Sequence, residues 1–385
     1  MNAAVPPITH DAMRAKIARI ETIPLAVPFT TPFRIASGGP RPVSEIMLVR
    51  MELDNGMQGI GETQAWRRQG STETLHSLHA AINQLLAPSC VGRSPFELPA
   101  IAADMDEALY KSYYAKAPLL DAIHDLQGKL LGVPVHALLG GRTRATVGAC
   151  AVLPVEKELR GTLEAADRFW ARGFRSFTVK VGVYPELEVD VVRAVRERFA
   201  QAVLRVDANA ALEFDSALAL LRRLEAYRID AAEQMVPLWD IEGMAELARR
   251  VDIPMMADES ISCDHDLIDV IRRRAATVFQ TKVAKSGGIW HSRRLWTIAQ
   301  AAGMRIYPGN HPCTSIATAS VVQLAASWGG PLLDGPHAVG ITGALAHDVV
   351  RRPLVVRDGA VVVPEGPGLG VELDEDAVRS MRVEI

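Results

Sequence analysis

A chain of 385 residues exceeds one average domain and has room for two, one of them a full α/β barrel of about 250 residues. Its 49% hydrophobic and 23% charged residues are enough for a large core and exclude a disordered protein, while a formal charge of −3 provides no cation surplus for nucleic acid. No run approaches the roughly 18 apolar residues that cross a bilayer, and four widely spaced cysteines without a C-x-x-C pair suit a reducing cytoplasm.

Residues 1–14, rich in Pro and Ala and lacking a continuous apolar run, read as a flexible tail. From Ala15 to about Asn55 apolar and polar residues alternate, as in IARIETIPLAV and EIMLVRMELDNG, and Asn55-Gly56 marks a hairpin turn. Helical periodicity takes over at Ser71–Leu86 and Pro95–Leu131, then stops at Gly132-Val133-Pro134 and Gly140-Gly141. Residues 15–140 are therefore expected to form an α+β domain. From 141 to 339 short aliphatic runs alternate with amphipathic stretches: GACAVL, SFTVKVG, AVLRVDAN, DAAEQ, IPMMADES, TVFQTKVAKSGG, MRIYPGN and PLLDGP. Eight strand-then-helix units predict parallel strands closing into a (β/α) barrel. Residues 340–385 revert to alternation and are too few to stand alone, so they are expected to return to the front domain.

Charged residues end several of these strands. Asp207 closes LRVD, Glu233 closes AAE and Asp258 closes PMMAD, and successive steps from Asp207 to Glu233, Asp258 and Lys282 are 26, 25 and 24 residues. One such residue per βα unit brings all four to the C-terminal mouth of a barrel. A single acid after a strand is often only a helix cap, but three in register without His or Cys make an all-oxygen set suited to Mg²⁺, with Mn²⁺ as the alternative. Asn209 shares the face of Asp207, two residues away. Lys180 in SFTVKVG and Lys282 in VFQTKVAKSGG stand in buried-type strands, where an unpaired ammonium costs several kcal/mol; each is either a snorkelling surface lysine or a catalytic one. Lys285 reads as a loop residue, and Arg272–Arg274 as a solvated helix face. The chemistry that requires this set is removal of a proton α to a carboxylate: a metal stabilises the developing enediolate and a lysine with lowered pKa acts as base.

TVKVG, VDAN, AEQ, ADES and TKVAKSGG, with AKAPLLDAIHDLQGKLLGVPVHALLGG before them and PEGPGLGVELDED after, resemble the muconate-lactonizing-enzyme subgroup of the enolase superfamily in order and spacing. The resemblance implies a modified (β/α) barrel with an α+β capping domain, Mg²⁺ on Asp207, Glu233 and Asp258, and Lys180 facing Lys282 across a small carboxylate substrate. It also implies a homo-oligomer. The usual Lys-x-Lys reads Thr178-Val179-Lys180 here, which removes one neighbouring cation from Lys180. At the eighth strand Leu332-Leu333-Asp334 stands where dipeptide epimerases carry Asp-x-Asp and cycloisomerases an acidic residue, which argues against a dipeptide epimerase and more weakly against an ordinary muconate cycloisomerase, with Asp334 as a candidate to bind substrate or to support the residues that do. Asn310 and His311 follow the seventh strand, where His311 is either a substrate ligand or incidental. Two capping loops, about 29–40 and 65–71, would set specificity; Arg34, Trp66, Arg67 and Arg68 there either clamp a second carboxylate or form a solvated basic turn. The expected activity is that of a cycloisomerase or racemase, with a dehydratase as the nearest alternative and a non-catalytic barrel as the remote one.

Overall fold

A computed structural model describes residues 12–35, 38–65, 73–154, 156–336 and 343–385. Most of the expected tail, together with Trp66, Arg67, Arg68 and the 339/340 boundary, lies outside the described residues.

The alternating front segment forms an antiparallel meander of β1 (Ile17–Ile35), β2 (Gly38–Leu53) and β3 (Gln58–Gln64). Gly56, at φ +83°, closes the β2–β3 turn, its N–H donating to Leu53 O at 2.9 Å. The helices α1 (Leu75–Ala80), α2 (Leu98–Ala108), α3 (Tyr113–Leu131) and α4 (Val135–Leu138) follow. Met47, Val49 and Met51 of β2 bury against this layer with Leu119, Leu120 and Ile123 of α3. Close approach of α3 to β3 requires Gly61, where a Cβ would lie 2.0 Å from Pro118 O.

Next come β4 (Thr146–Gly148), β5 (Ala151–Leu153), α5 (Leu159–Ala171), β6 (Ser176–Lys180), α6 (Glu188–Arg198), β7 (Val203–Asp207), α7 (Phe214–Leu224), β8 (Ala231–Glu233), α8 (Ile241–Arg250), β9 (Met255–Ala257), α9 (Asp264–Arg273), β10 (Val278–Lys282), α10 (Gly288–Ala301), β11 (Arg305–Gly309) and α11 (Ser315–Ser327). Strands β5 to β11 pair in chain order, all parallel, as one curled sheet of seven. The expected eighth strand does not form as a strand. PLLDGP contributes a bridge from Leu332 to Ile306, and the bonds Leu333 N–H to Ile306 O (2.8 Å) and Cys150 N–H to Pro336 O (3.0 Å) carry the ring from β11 towards β5. With Pro331, Gly335 and Pro336 in six residues, the segment lacks the donors and the backbone regularity for a full ladder.

The chain then passes through β12 (Val356–Arg357) and β13 (Ala360–Val362), which join β4 in a small antiparallel sheet, and ends in α12 (Glu375–Met381). Val383 N–H donates to Pro24 O at 3.0 Å, tying this end to β1. Among the described residues no helix is long and apolar enough to cross a membrane.

Two buried carboxylates of the front layer brace barrel helices. Glu62 on β3 accepts the Thr314 hydroxyl and the backbone N–H groups of Thr314 (3.0 Å) and Ala317 (3.2 Å), where α11 begins. Asp121 on α3 accepts the Ile289 N–H at 2.8 Å, where α10 begins. Both sit on the favourable end of a helix dipole. Burial nevertheless outweighs these donors and pushes each acid up to about 7, from 4.5 and 3.8 respectively. The folded state thus holds these protons more tightly than the unfolded chain. The associated stability is fully present below about pH 4 and is lost as pH rises towards 7.

Glu62→Gln removes one such group, so its stability relative to the parent should improve by on the order of 3 kcal/mol between pH 4 and pH 8. Urea melts at several pH values give this difference directly, and a flat difference would show that Glu62 does not titrate as described.

Candidate active site

The ends of β6 to β10 bring the site together. In the sheet register Lys180 pairs with Asp207, and Asp207 with Glu233, so three side chains from adjacent strands stand in one row. Asp258 follows β9 directly, and Lys282 ends β10. Asp207, Glu233 and Asp258 are all wholly buried. Lys180 forms an ion pair with Asp207 Oδ2, and Lys282 with Asp258 Oδ2. Asn209 donates its N–H to Asp207 Oδ1 (2.7 Å) and its Nδ2 to Asp207 Oδ2 (3.0 Å).

Backbone strain collects at the same strand ends. Asn209 (φ +46°), Ala210 (φ +57°) and Gln234 (φ +33°) occupy the left-handed region, at a cost of about 1–3 kcal/mol each. Gln234 fixes the next loop, its Oε1 accepting the N–H groups of Asp258 (3.1 Å) and Ser260 (3.2 Å).

Lys285 does lie in a loop, the turn after β10, but that turn is buried. Lys285 itself is only 3% exposed and its ammonium contacts both the backbone carbonyl of Asp258 and Oδ1 at 2.9 Å. The turn after β10 folds back over the barrel mouth, which residue order alone does not reveal. Glu259, also not singled out, is buried beside Asn209, whose Nδ2 reaches its Oε1 at 3.3 Å.

The remaining candidates divide. Thr178 is buried and lies 3.2 Å from Cys150 Sγ, offering no charge where the resemblance expects a lysine. Two layers below the mouth, Arg205 stacks on Tyr307 at 4.7 Å from its ring centre and donates to Ser176 Oγ at 2.8 Å. His311 is buried and hydrogen-bonds the Tyr114 hydroxyl at 3.2 Å, so a capping-helix residue enters the mouth that no sequence signal marked. Asn310 donates to Cys313 Sγ and Thr318 Oγ1, both at 3.3 Å. Arg34 is exposed and reaches Tyr184 Oη at 3.2 Å, bridging β1 to the loop after β6. Asp334 is not gathered with the lysines: its Oδ1 packs over Gly148, 2.5 Å from where a Cβ would stand, and its carbonyl accepts from Arg205 at 3.2 Å.

The charges oppose one another strongly. Burial presses the lysine pKa values down, as expected of a base, but Asp207 and Glu233 outweigh it at Lys180, and Asp258 and Glu259 do so at Lys282. Both lysines are held above the ordinary range. Asp258, despite burial, is held well below the carboxylate range by Lys282 and Lys285. Glu233 goes the other way, pushed far up by burial and by its neighbours Asp207 and Asp258. Neither of its oxygens has a hydrogen-bond partner among the described residues. No three acidic, His or Cys side chains among the described residues close up as a ready cation cage; lysine ammoniums hold Asp207 and Asp258 instead. Three buried carboxylates, one of them unsatisfied, nevertheless have the donor chemistry of a hard divalent cation site.

Residues 19–140 match the model of the mandelate racemase/muconate lactonizing enzyme N-terminal domain, and residues 161–377 that of the enolase C-terminal domain-like family. The chain belongs to the mandelate racemase/muconate lactonizing enzyme family. It is 33% identical over 378 residues to muconate cycloisomerase 1 of Rhodococcus opacus (94% of this chain, 98% of that one). It is 30% identical over 370 residues to the N-succinyl-L-Arg/Lys racemase of Bacillus cereus (96% and 98%). The crystal structure of muconate lactonizing enzyme from Pseudomonas fluorescens with muconolactone superimposes with a TM-score of 0.91 at 29% identity, covering 96% of this chain and 100% of that one. These neighbours bear out the expected fold, a modified barrel with a capping domain, and mark the chain as an isomerase of the enolase superfamily.

Glu233→Gln removes the ionisable group from the carboxylate neither of whose oxygens has a hydrogen-bond partner among the described residues, so in chelator this variant should be more stable than the parent by about 1–3 kcal/mol at pH 8. Denaturant unfolding in EDTA measures it; a less stable variant would mean that Glu233 is already compensated.

Proposed function

We propose that this member of the family moves a proton between the two faces of a carbon α to a carboxylate, as a racemase or epimerase of a small carboxylic acid. The observation that carries this reading is the pair of lysines: Lys180 from β6 and Lys282 from β10, each set on a buried carboxylate, flank the mouth of one barrel. A single acid–base group serves one face of a planar intermediate; two serve both.

Asp207, Glu233 and Asp258 are the residues that would hold Mg²⁺, with Mn²⁺ as the alternative. When bound, that ion supplies positive charge beside the substrate carboxylate as the α-carbon becomes negative. The protein's own groups do the rest. One lysine, as free amine, takes the α-proton, and the electron pair left behind spreads into the carboxylate. The other lysine, as ammonium, returns a proton to the opposite face. Asn209 and Gln234 hold Asp207 and the Asp258 loop in place, so the row of carboxylates keeps its register. Tyr114 and His311 close the mouth from the capping side.

Cycloisomerization is the second reading, supported by the similarity to muconate cycloisomerase 1. It needs the same enolate but ends in a lactone. Asp334, packed over Gly148, bears on neither lysine through any ion pair among the described residues. Family membership also supports a symmetric homo-oligomer, which light scattering would measure.

Incubation of N-acylamino acids in D₂O with Mg²⁺ should give α-deuterium with inverted configuration; a lactone formed from muconate instead would favour the cycloisomerase, and loss of water from a hydroxy acid a dehydratase. Lys180→Ala and Lys282→Ala should each lower kcat/KM by about 10²–10⁴-fold, and each should abolish exchange from one enantiomer only. Unchanged exchange in both variants would sink the two-lysine reading.

A further inference from the structure

A cavity of about 670 Å³ opens beside the carboxylate–lysine centre, between the segment joining α2 to α3 and the loops that follow β8, β9 and β10. Its rim is aromatic. Tyr110 and Trp239, among the most exposed large hydrophobic residues at 81% and 77%, stand there with Tyr113. Its inner end is ionic, formed by Glu259 and Lys285, both nearly fully buried.

Most charges around this space are already committed. Lys285 is taken by Asp258. Asp266 accepts the N–H groups of Ser262 (3.0 Å) and Cys263 (3.2 Å) at the start of α9, and Asp269 pairs with Arg273 at 2.9 Å. Glu73 accepts the Ser77 hydroxyl at 2.9 Å. Among the acids the exception is Glu259, whose Oε1 accepts from Asn209 at 3.3 Å but whose Oε2 has no hydrogen-bond partner among the described residues. The rim also shows what its rings accept, for the Lys111 ammonium lies 5.8 Å from the centre of the Tyr110 ring. Burial and Asp258 hold the Glu259 carboxyl up to about 8, but four acids, Glu73, Glu259, Asp266 and Asp269, still line the space against Lys111 and Lys285, and with the aromatic faces of the rim they favour a cation over an anion.

The approach is also built under strain. Lys111 and Ser112 both hold left-handed backbone, at φ +57° and +42°, immediately before α3. Non-glycine residues keep that conformation only where the surroundings impose it, and here it delivers Tyr113 to the cavity wall and Tyr114 to the shared wall with the mouth.

We propose that this cavity is a subsite for an ammonium or guanidinium group on the far end of the substrate, so that the preferred acids are derivatives of basic amino acids. The assignment to a substrate rests on the proton-transfer reading above; the cation preference of the cavity does not.

Calorimetry with n-butylguanidinium and its neutral isostere n-butylurea tests the cavity itself. The cation should bind about tenfold more tightly, and Trp239→Ala should remove most of that difference. Equal affinities, no binding, or a difference that survives Trp239→Ala overturns the proposal. Exchange in D₂O of N-acetyl-lysine against N-acetyl-norleucine then tests the link to substrate. A kcat/KM at least about tenfold higher for the lysine derivative, carried by KM and reduced in Trp239→Ala, supports it. Equal exchange of both acids overturns the subsite while proton abstraction stands. Cation binding with no exchange of any acid overturns the proton-transfer reading, and with it the assignment to a substrate.

Discussion

Four carboxylates, Asp207, Glu233, Asp258 and Glu259, are buried at the mouth of the barrel against three ammoniums, those of Lys180, Lys282 and Lys285. Taking charges out of water costs several kcal/mol apiece unless each finds a partner, so this cluster is a poor way to build a stable protein. Its existence dictates much else. The strands must present their last residues in register, the loops after β7 and β8 must accept left-handed backbone at Asn209, Ala210 and Gln234, and the capping layer must seal the mouth to keep water out. A hydrophobic replacement would be cheaper in stability and useless for chemistry.

The capping layer meets this demand with further buried charge rather than with apolar contact alone. Glu62 and Asp121 each reach from the front domain to the first turn of a barrel helix, α11 and α10, which follow the strands ending in Gly309 and Lys282. The two acids therefore fix the height of the capping domain over the half of the barrel that carries Lys282 and His311. Tyr114, a little earlier on the same helix as Asp121, then meets His311 at a set distance. The barrel ends and the cap are positioned by a shared set of helix termini, not independently.

The sequence shows the periodic features of this arrangement clearly. Strand-end charged residues recurring every 24 to 26 residues are a direct consequence of βα repetition, and two lysines in otherwise apolar strands stand out because burial makes them costly. What stayed hidden depends on loop path. Lys285 lies three residues beyond Lys282, and only the backward turn after β10 brings both onto Asp258. Tyr114 and Glu62 reach partners about 200 and 250 residues away, a distance no local pattern encodes. The eighth strand misled for a different reason: Leu332-Leu333 has the apolar character of a strand, but the flanking prolines and glycine leave it a bridge and a few hydrogen bonds.

Thr178 is where sequence and structure together say most about chemistry. A lysine at that position would have placed a second ammonium two residues from Lys180 on the same strand face, and like charge lowers a lysine's affinity for its proton. Here the position is neutral and engaged with Cys150, while the nearest buried cation on the neighbouring strand, Arg205, is turned to Tyr307 and Ser176 beneath the site. Lys180 is left facing Asp207 and Glu233, both of which favour its protonated form. Its use as a base must then depend on those carboxylates being neutralised by something other than itself. The same argument applies across the mouth, where Lys282 faces Asp258 and Glu259. In the proton transfer proposed for Lys180 and Lys282, release of either amine therefore rests on the acids beside it being otherwise compensated, which would couple that transfer to prior charge binding through buried groups that gain nothing from the coupling in stability.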